Sequence, residues 1–352
     1  MRTNAMAWLS ARGLLVALVM LAGGSLYSAP ATPPTKAPGN GLVEIGPLAR
    51  RYGLKATWLR PGQQLRLQGG RIILDFQADS REVAWNGVRL FLGESVVADQ
   101  HGLSLSATDF RTTLLPLLDS AAARTPGAPK LIVIDAGHGG KDSGTGNRQL
   151  KLLEKTFTLD VGRRLKKDLE QRGYRVVLTR ANDAFVPLTL RPEMANHAGA
   201  DLFISLHFNS LPDDAGVSGI ETYAFTPAGL RSTAVAERSR DDRLAYPGNR
   251  SDHWNFVLGA ALHRRLLGEL KGVDRGLKRA RFVVLKTIQC PSVLVELGFL
   301  SNKVEARKIS TPVYRERIAE AMADGIGDYA VQLGDAARRH RAQRTSMENG
   351  VL

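Results

Sequence analysis

From residue 131 onwards the chain alternates between short apolar runs and stretches of helical period. Leu131–Ala136 has five apolar residues in six, three of them β-branched, the composition of a strand buried on both faces. Similar runs predict strands at 175–179, 202–208, 219–225, 282–285 and 292–297. Between and after them, 154–172, 190–198, 255–270 and 312–333 read as helices. In the first of these Phe157, Val161, Leu165 and Leu169 recur every four residues, and Gly173 closes the run. This alternation predicts an α/β domain over 130–335. The pattern over 41–118 differs. A helical stretch at 45–52 stops at Gly53, short strands follow at 56–59, 64–68 and 71–77, and 82–92 reads as a hairpin turning on Asn86-Gly87. That is a small α+β module for binding or spacing, set off from the larger domain by the Pro- and Gly-containing linker 119–129.

The ends follow neither pattern. Residues 1–31 place Arg2 and Arg12 before a short apolar run, 14–22, with small residues after it. This is the order of a cleaved export signal, and the run falls short of the roughly 20 residues a bilayer span needs. An uncleaved N-terminal anchor is the other reading of the same residues. Pro-rich 32–40 reads as a linker, and 336–352 as a basic, disordered tail.

Composition then narrows the partners. With 43% hydrophobic and 23% charged residues the chain is globular rather than low-complexity. Its formal charge is +14, and loss of Arg2 and Arg12 with the signal, which holds no acid, lowers this to +12. Such a charge suits an anionic polymer. Export argues against nucleic acid and for wall polymers, acidic peptides or lipid head groups; a generally basic surface explains the charge equally well. Cys290 is the single cysteine, which excludes an internal disulfide and a cysteine-type zinc site. It precedes Pro291 at the entry to an apolar strand and reads as a buried thiol.

Three of the predicted strands end on residues that carry chemistry. His138 follows the first, inside Gly137-His138-Gly139-Gly140; His207 lies near the end of another; and Glu296 sits within the apolar stretch 291–299. Glu154 opens the helix after the His138 loop. In open α/β sheets, ligands bind at the carboxyl ends of strands. Each residue has a plain structural reading: His138 or His207 as a satisfied histidine, Glu154 as favourable charge at a helix N-terminus. Glu296 fits such a reading least, because an unpaired carboxylate in an apolar strand is costly. Together they offer two histidines and one carboxylate, the three-ligand set of catalytic zinc sites that keep a fourth position open. Zinc would lower the pKa of a water towards roughly 7. Burial would raise Glu296 into the range of a general acid/base. The residues alone point to a zinc hydrolase.

In their order along the chain, Asp135-Ala136-Gly137-His138-Gly139-Gly140, Glu154-Lys155, Ser205-Leu206-His207-Phe208-Asn209 and Val295-Glu296-Leu297-Gly298-Phe299-Leu300-Ser301-Asn302 resemble the zinc-dependent N-acetylmuramoyl-L-alanine amidases of bacterial cell walls. The resemblance runs from about 131 to 329. It implies an α/β fold with a mainly parallel, six-stranded sheet flanked by helices. It also implies zinc ligands His138, Glu154 and His207, with Glu296 as catalytic acid/base. Arg191, Asn196 and Asn209 also fall on family positions: Arg191 and Asn209 stand beside the site or against substrate, with Arg191 and Asn196 reading first as residues that fix loops and the sheet. Ser143 stands where the family often has Pro. Some members carry a long autoinhibitory helix in the segment corresponding to 226–253. Here that segment is short and Arg-rich, reading as a loop or short helix on the rim of the site, which argues against self-blocking by a supplied Glu and leaves Glu237 as the residue that could still do so. The module at 41–118 weakly resembles the small N-terminal domain of copper amine oxidases, with no metal role implied.

The implied activity is hydrolysis of the amide between the lactyl group of N-acetylmuramic acid and the L-alanine of the peptidoglycan stem, in the periplasm or wall. A protein activator is possible in principle, and no stable membrane span is expected once the signal is removed. Two rivals remain open at this level: a zinc peptidase or amidase acting on another amide, and a non-catalytic wall-binding protein.

Overall fold

The structure, a computed structural model, describes residues 41–348 apart from 212, 234 and 236. The expected signal (1–31) and first linker (32–40) lie outside the described residues. In the N-terminal part, helix α1 (Ile45–Arg51) precedes five antiparallel strands: β1 (Lys55–Arg60), β2 (Gln64–Gly69), β3 (Ile72–Gln77), β4 (Glu82–Trp85) and β5 (Val88–Phe91). Asn86 and Gly87 both have positive φ, at 49° and 82°, as a type I′ turn between β4 and β5 requires. Leu65, Leu67, Leu74, Phe76 and Val83 alternate inwards onto Ile45 and Ala49 of α1, the period of a sheet buried on one face.

The second part contributes β6 (Leu131–Ala136), β7 (Arg175–Leu178), β8 (Leu202–Asn209), β9 (Ile220–Phe225), β10 (Asp274–Ala280) and β11 (Ser292–Phe299). Their order is β7-β6-β8-β11-β9-β10, and every neighbouring pair is parallel except β11 with β9. These six strands are mainly parallel, as the resemblance implies, with β10 in place of the strand expected at 282–285. Helices α2 (Glu154–Gln171), α4 (Asp252–Leu270) and α6 (Pro312–Glu348) cover one face. There Phe157, Val161, Leu165 and Leu169 of α2 join Ile132 and Ile134 of β6, Leu202, Ile204 and Leu206 of β8, and Ile326 of α6 in one core. On the other face α3 (Leu190–Ala198) and a helical turn, Val283–Lys286, pack Ala195, Val284 and Leu285 against Val133, Phe203, Tyr223 and Leu294. Helix α5 (Lys303–Ser310) follows β11 directly. No helix among the described residues is long and apolar enough to cross a membrane.

The two parts share one sheet. β5 pairs in parallel with β10 through Leu90 and Leu277, so the order continues β10-β5-β4-β3-β2-β1 to eleven strands. Asp274 of β10 accepts the Arg89 backbone N–H at 2.8 Å. At Gly276, with φ +93°, an added Cβ would lie 2.4 Å from the Phe91 ring, so only glycine allows this approach.

Four expectations change. The stretch 282–285 is a helical turn rather than a strand; four apolar residues in a row fit either period, and here they cap the far face of the sheet. The strand beside it, β10, gives no apolar signal, because its buried Lys278 and Arg279 are held by polar partners instead. The linker 119–129 is pinned in place, its carbonyls accepting from His253, Trp254 and His340. The tail expected to be disordered from 336 is helical as far as Glu348, because Ala336 is buried and His340 reaches the Ala123 carbonyl.

The segment 226–253 also lies elsewhere than expected. It leaves β9 at Phe225, and the antiparallel pairing of Ala224 with Val293 puts that point at the start of β11, three residues before Glu296 and towards the opposite end of the sheet. Leu230 packs against Gly93, Arg238 bonds to Glu94 and Arg231 to the Gly93 carbonyl. The segment braces the N-terminal module instead of rimming the site, so Glu237 is not placed to block it.

Candidate active site

Three elements deliver His138, Glu154 and His207 to one point. β6 ends at Ala136, and His138 stands in the loop beyond it with φ +62°, a left-handed conformation costly for a non-glycine residue and typical of functional sites. Glu154 is the first residue of α2, and His207 lies near the end of β8. One donor atom from each lies within 4.8 Å of the others. Glu154 bridges the pair: Oε2 is 3.0 Å from His138 Nε2 and Oε1 is 2.9 Å from His207 Nδ1. The imidazole rings meet edge to face, 4.9 Å between centroids.

The surroundings fix these side chains. Asp142 Oδ2 lies 2.9 Å from His138 Nδ1; a carboxylate only accepts, so Nδ1 carries the hydrogen and Nε2 faces the centre. Glu154 also accepts from the backbone N–H of Thr145 at 2.8 Å and of Phe208 at 3.0 Å. Gly144 leaves no room for a side chain, since a Cβ there would lie 2.5 Å from Glu154 Oε2 and 2.6 Å from His138 Cδ2. Asp142, Gly144 and Thr145 were not singled out from the sequence. The one available signal was their position in the loop between His138 and Glu154.

Beneath the His138 loop lies a buried ion pair. Asp135 accepts from Arg191 Nη1 at 2.7 Å, Thr179 Oγ1 at 2.7 Å and Ser205 Oγ at 2.8 Å. Arg191 donates onward to the carbonyls of Ala136 and His138, each at 3.0 Å. It therefore sets the loop rather than reaching into the site. Asn196 similarly ties down residues 287–289. Asn209 donates to Glu221 Oε2 at 3.3 Å and accepts from Ser210 N.

Glu296 faces the same point from β11. In the parallel pairing of β8 with β11 it lies opposite His207, and register partners share a face of the sheet. It is 4% exposed, and its Oε2 has no hydrogen-bond partner among the described residues. Burial, reinforced by the negative charges of Glu154 and Glu221, raises its carboxyl well above the ordinary range.

The electrostatics ask for a cation. Burial would push Glu154 up, yet His138 and His207 outweigh it and hold the carboxyl well below its usual range. Burial would push His138 down, but Glu154 and Asp142 raise it to about 10. Two nitrogens and a carboxylate converging on one point form a donor set that fits a divalent zinc ion.

Comparison with known proteins finds a matching family and several relatives. A family model described as N-acetylmuramoyl-L-alanine amidase matches residues 132–328. The uncharacterized protein YqiI of Bacillus subtilis is 37% identical over 227 residues, covering 64% of this chain and 96% of that one. N-acetylmuramoyl-L-alanine amidase LytC of the same organism is 37% identical over 207 residues, 58% of this chain and 36% of LytC. N-acetylmuramoyl-L-alanine amidase AmiC of Escherichia coli is 32% identical over 231 residues, 60% of this chain and 55% of AmiC. Among solved structures, the catalytic domain of CwlV from Bacillus (Paenibacillus) polymyxa is 32% identical with a TM-score of 0.47, covering 57% of this chain and 97% of that domain.

Proposed function

The chain belongs to the N-acetylmuramoyl-L-alanine amidase family, and from that premise we propose that it hydrolyses the amide joining the lactyl group of N-acetylmuramic acid to the L-alanine of the peptidoglycan stem. The observation that carries the reading is Glu296, a buried carboxylate with one unpartnered oxygen, paired across strands with His207 at the convergence of His138 and Glu154. In this reading residues 130–335 form the catalytic domain, and 41–118 form an accessory module joined to its sheet. The protein is exported and acts in the periplasm or wall.

His138, Glu154 and His207 would hold zinc. Bound there, it would polarise the scissile carbonyl, acidify a water and offset the negative charge that helps raise Glu296. Glu296 takes a proton from the water as its oxygen attacks the lactyl carbonyl carbon. As the C–N bond breaks, the same carboxyl returns that proton to the departing alanine nitrogen. Asp142 keeps His138 Nε2 directed at the centre throughout, and Arg191 holds the loop that carries it.

The test is incubation of the purified protein with isolated peptidoglycan, with and without a chelator, products being read by mass spectrometry. Intact stem peptides beginning at L-alanine, released only without chelator, are expected; fragments cut elsewhere would overturn the reading. Asp142→Ala should lower zinc affinity by about 10–100-fold, measured by competition with a chromophoric chelator, because the ring then loses the partner that fixes its orientation. Unchanged affinity would show that the loop alone positions His138.

A further inference from the structure

The row of side chains from His207 to Glu296 continues across the sheet. Glu221 of β9 pairs with Glu296 and shares its face. Its fully buried carboxylate accepts on Oε1 from Lys278 Nζ and Arg275 Nε, each at 2.8 Å. On Oε2 it accepts from the Tyr223 hydroxyl at 2.7 Å and Asn209 Nδ2 at 3.3 Å. One carboxylate thus faces two cations, which leaves a positive charge over.

The two cations are not equivalent. Lys278 has a side chain only 8% exposed and serves as the direct counter-ion, whereas Arg275 is 22% exposed. Arg275 is anchored at Nε, and its guanidinium lies 5.1 Å from the centroid of the Phe299 ring. Among the described residues no hydrogen bond reaches its two terminal nitrogens. The other carboxylate nearby, Glu305, already accepts from Phe299 N at 2.7 Å and Gly219 N at 3.0 Å. Because β9 runs antiparallel to β11, and β10 parallel to β9, Arg275 sits at the end of the sheet where Glu296 and His207 lie.

We infer that Arg275 forms a carboxylate-binding subsite for the peptide side of the substrate, engaging the first carboxylate beyond the scissile amide. A guanidinium held at one nitrogen presents the rest of its fork for paired hydrogen bonds to a carboxylate. The N-terminal module supports the subsite from behind, where Phe91 packs on Gly276.

The inference rests on the amidase reading, and its test separates the two. Two muramoyl tripeptides are compared that differ only in whether the carboxyl group on the residue after L-alanine is free or amidated. The wild-type protein should favour the free carboxylate by about tenfold in KM, the scale of one charge-assisted contact. Arg275→Gln should remove that preference by raising KM for the acid alone, with kcat within about twofold, and Arg275→Lys should restore part of it. A urea unfolding midpoint for Arg275→Gln close to that of the wild type shows that the variant is folded. Equal KM for both peptides in the wild type, or an undiminished preference in Arg275→Gln, overturns the subsite alone. Cleavage of neither peptide overturns the amidase reading and the subsite with it.

Discussion

On the proposed reading, Glu296→Gln should lower the rate of stem-peptide release by about 10²–10⁴-fold, the contribution of a positioned general acid/base, with bound zinc retained. The substitution keeps the shape of the side chain and removes only its ability to exchange a proton. Glu296 stands outside the group of converging donors, so its loss leaves His138, Glu154 and His207 in place. The carboxyl is raised by burial first and then by Glu154 and Glu221, and a neutral glutamine suits such a site, so the variant should fold. Turnover and metal content measured on the same sample give the answer. Activity within tenfold of wild type would move the proton-transfer role to another residue.

Asp135→Ala should destabilise the protein by about 3–5 kcal/mol, because it leaves the Arg191 guanidinium buried without its counter-ion. Asp135 and Arg191 are both essentially inaccessible, and the carboxylate also gathers Thr179 and Ser205. Arg191 in turn holds the His138 carbonyl, so the loop that carries His138 should loosen as well. The midpoint of urea unfolding measures the effect. Burial would raise Asp135, but Arg191 outweighs it and the folded-state pKa lies below the ordinary 3.8. The stabilisation is therefore fully present above the unfolded value and is lost as pH falls through the folded one. In the wild type it contributes at neutral pH and disappears only in acid, and the gap between wild type and Asp135→Ala should narrow below about pH 4. A pH-independent gap would mean that packing, not charge, is what the substitution removes.

Arg191 also shows how differently a residue reads before and after folding. As a family position it was open to a substrate role; in the structure its three nitrogens are committed to Asp135 and to the carbonyls of Val186, Ala136 and His138. Arg275 moved the other way. It lies in a charged stretch with no apolar period, and only the pairing of β9 with β10 places it beside Glu221.

Local pattern and motif order by themselves determined the α/β class, the six strands in all but one place, the small module before them and the four residues His138, Glu154, His207 and Glu296. These features were legible because buried strands and helices need apolar residues at a fixed period, and because metal-binding chemistry draws on few residue types. Tertiary structure alone decided the rest. β10 is held by buried charges paired with distant partners, so its sequence carries no apolar signal. The joining of the module to the sheet rests on contacts between residues such as Arg89 and Asp274, 185 positions apart. The Arg-rich segment braces that module because β9 runs against β11, and strand direction is a property of the assembled sheet, absent from any local stretch of sequence.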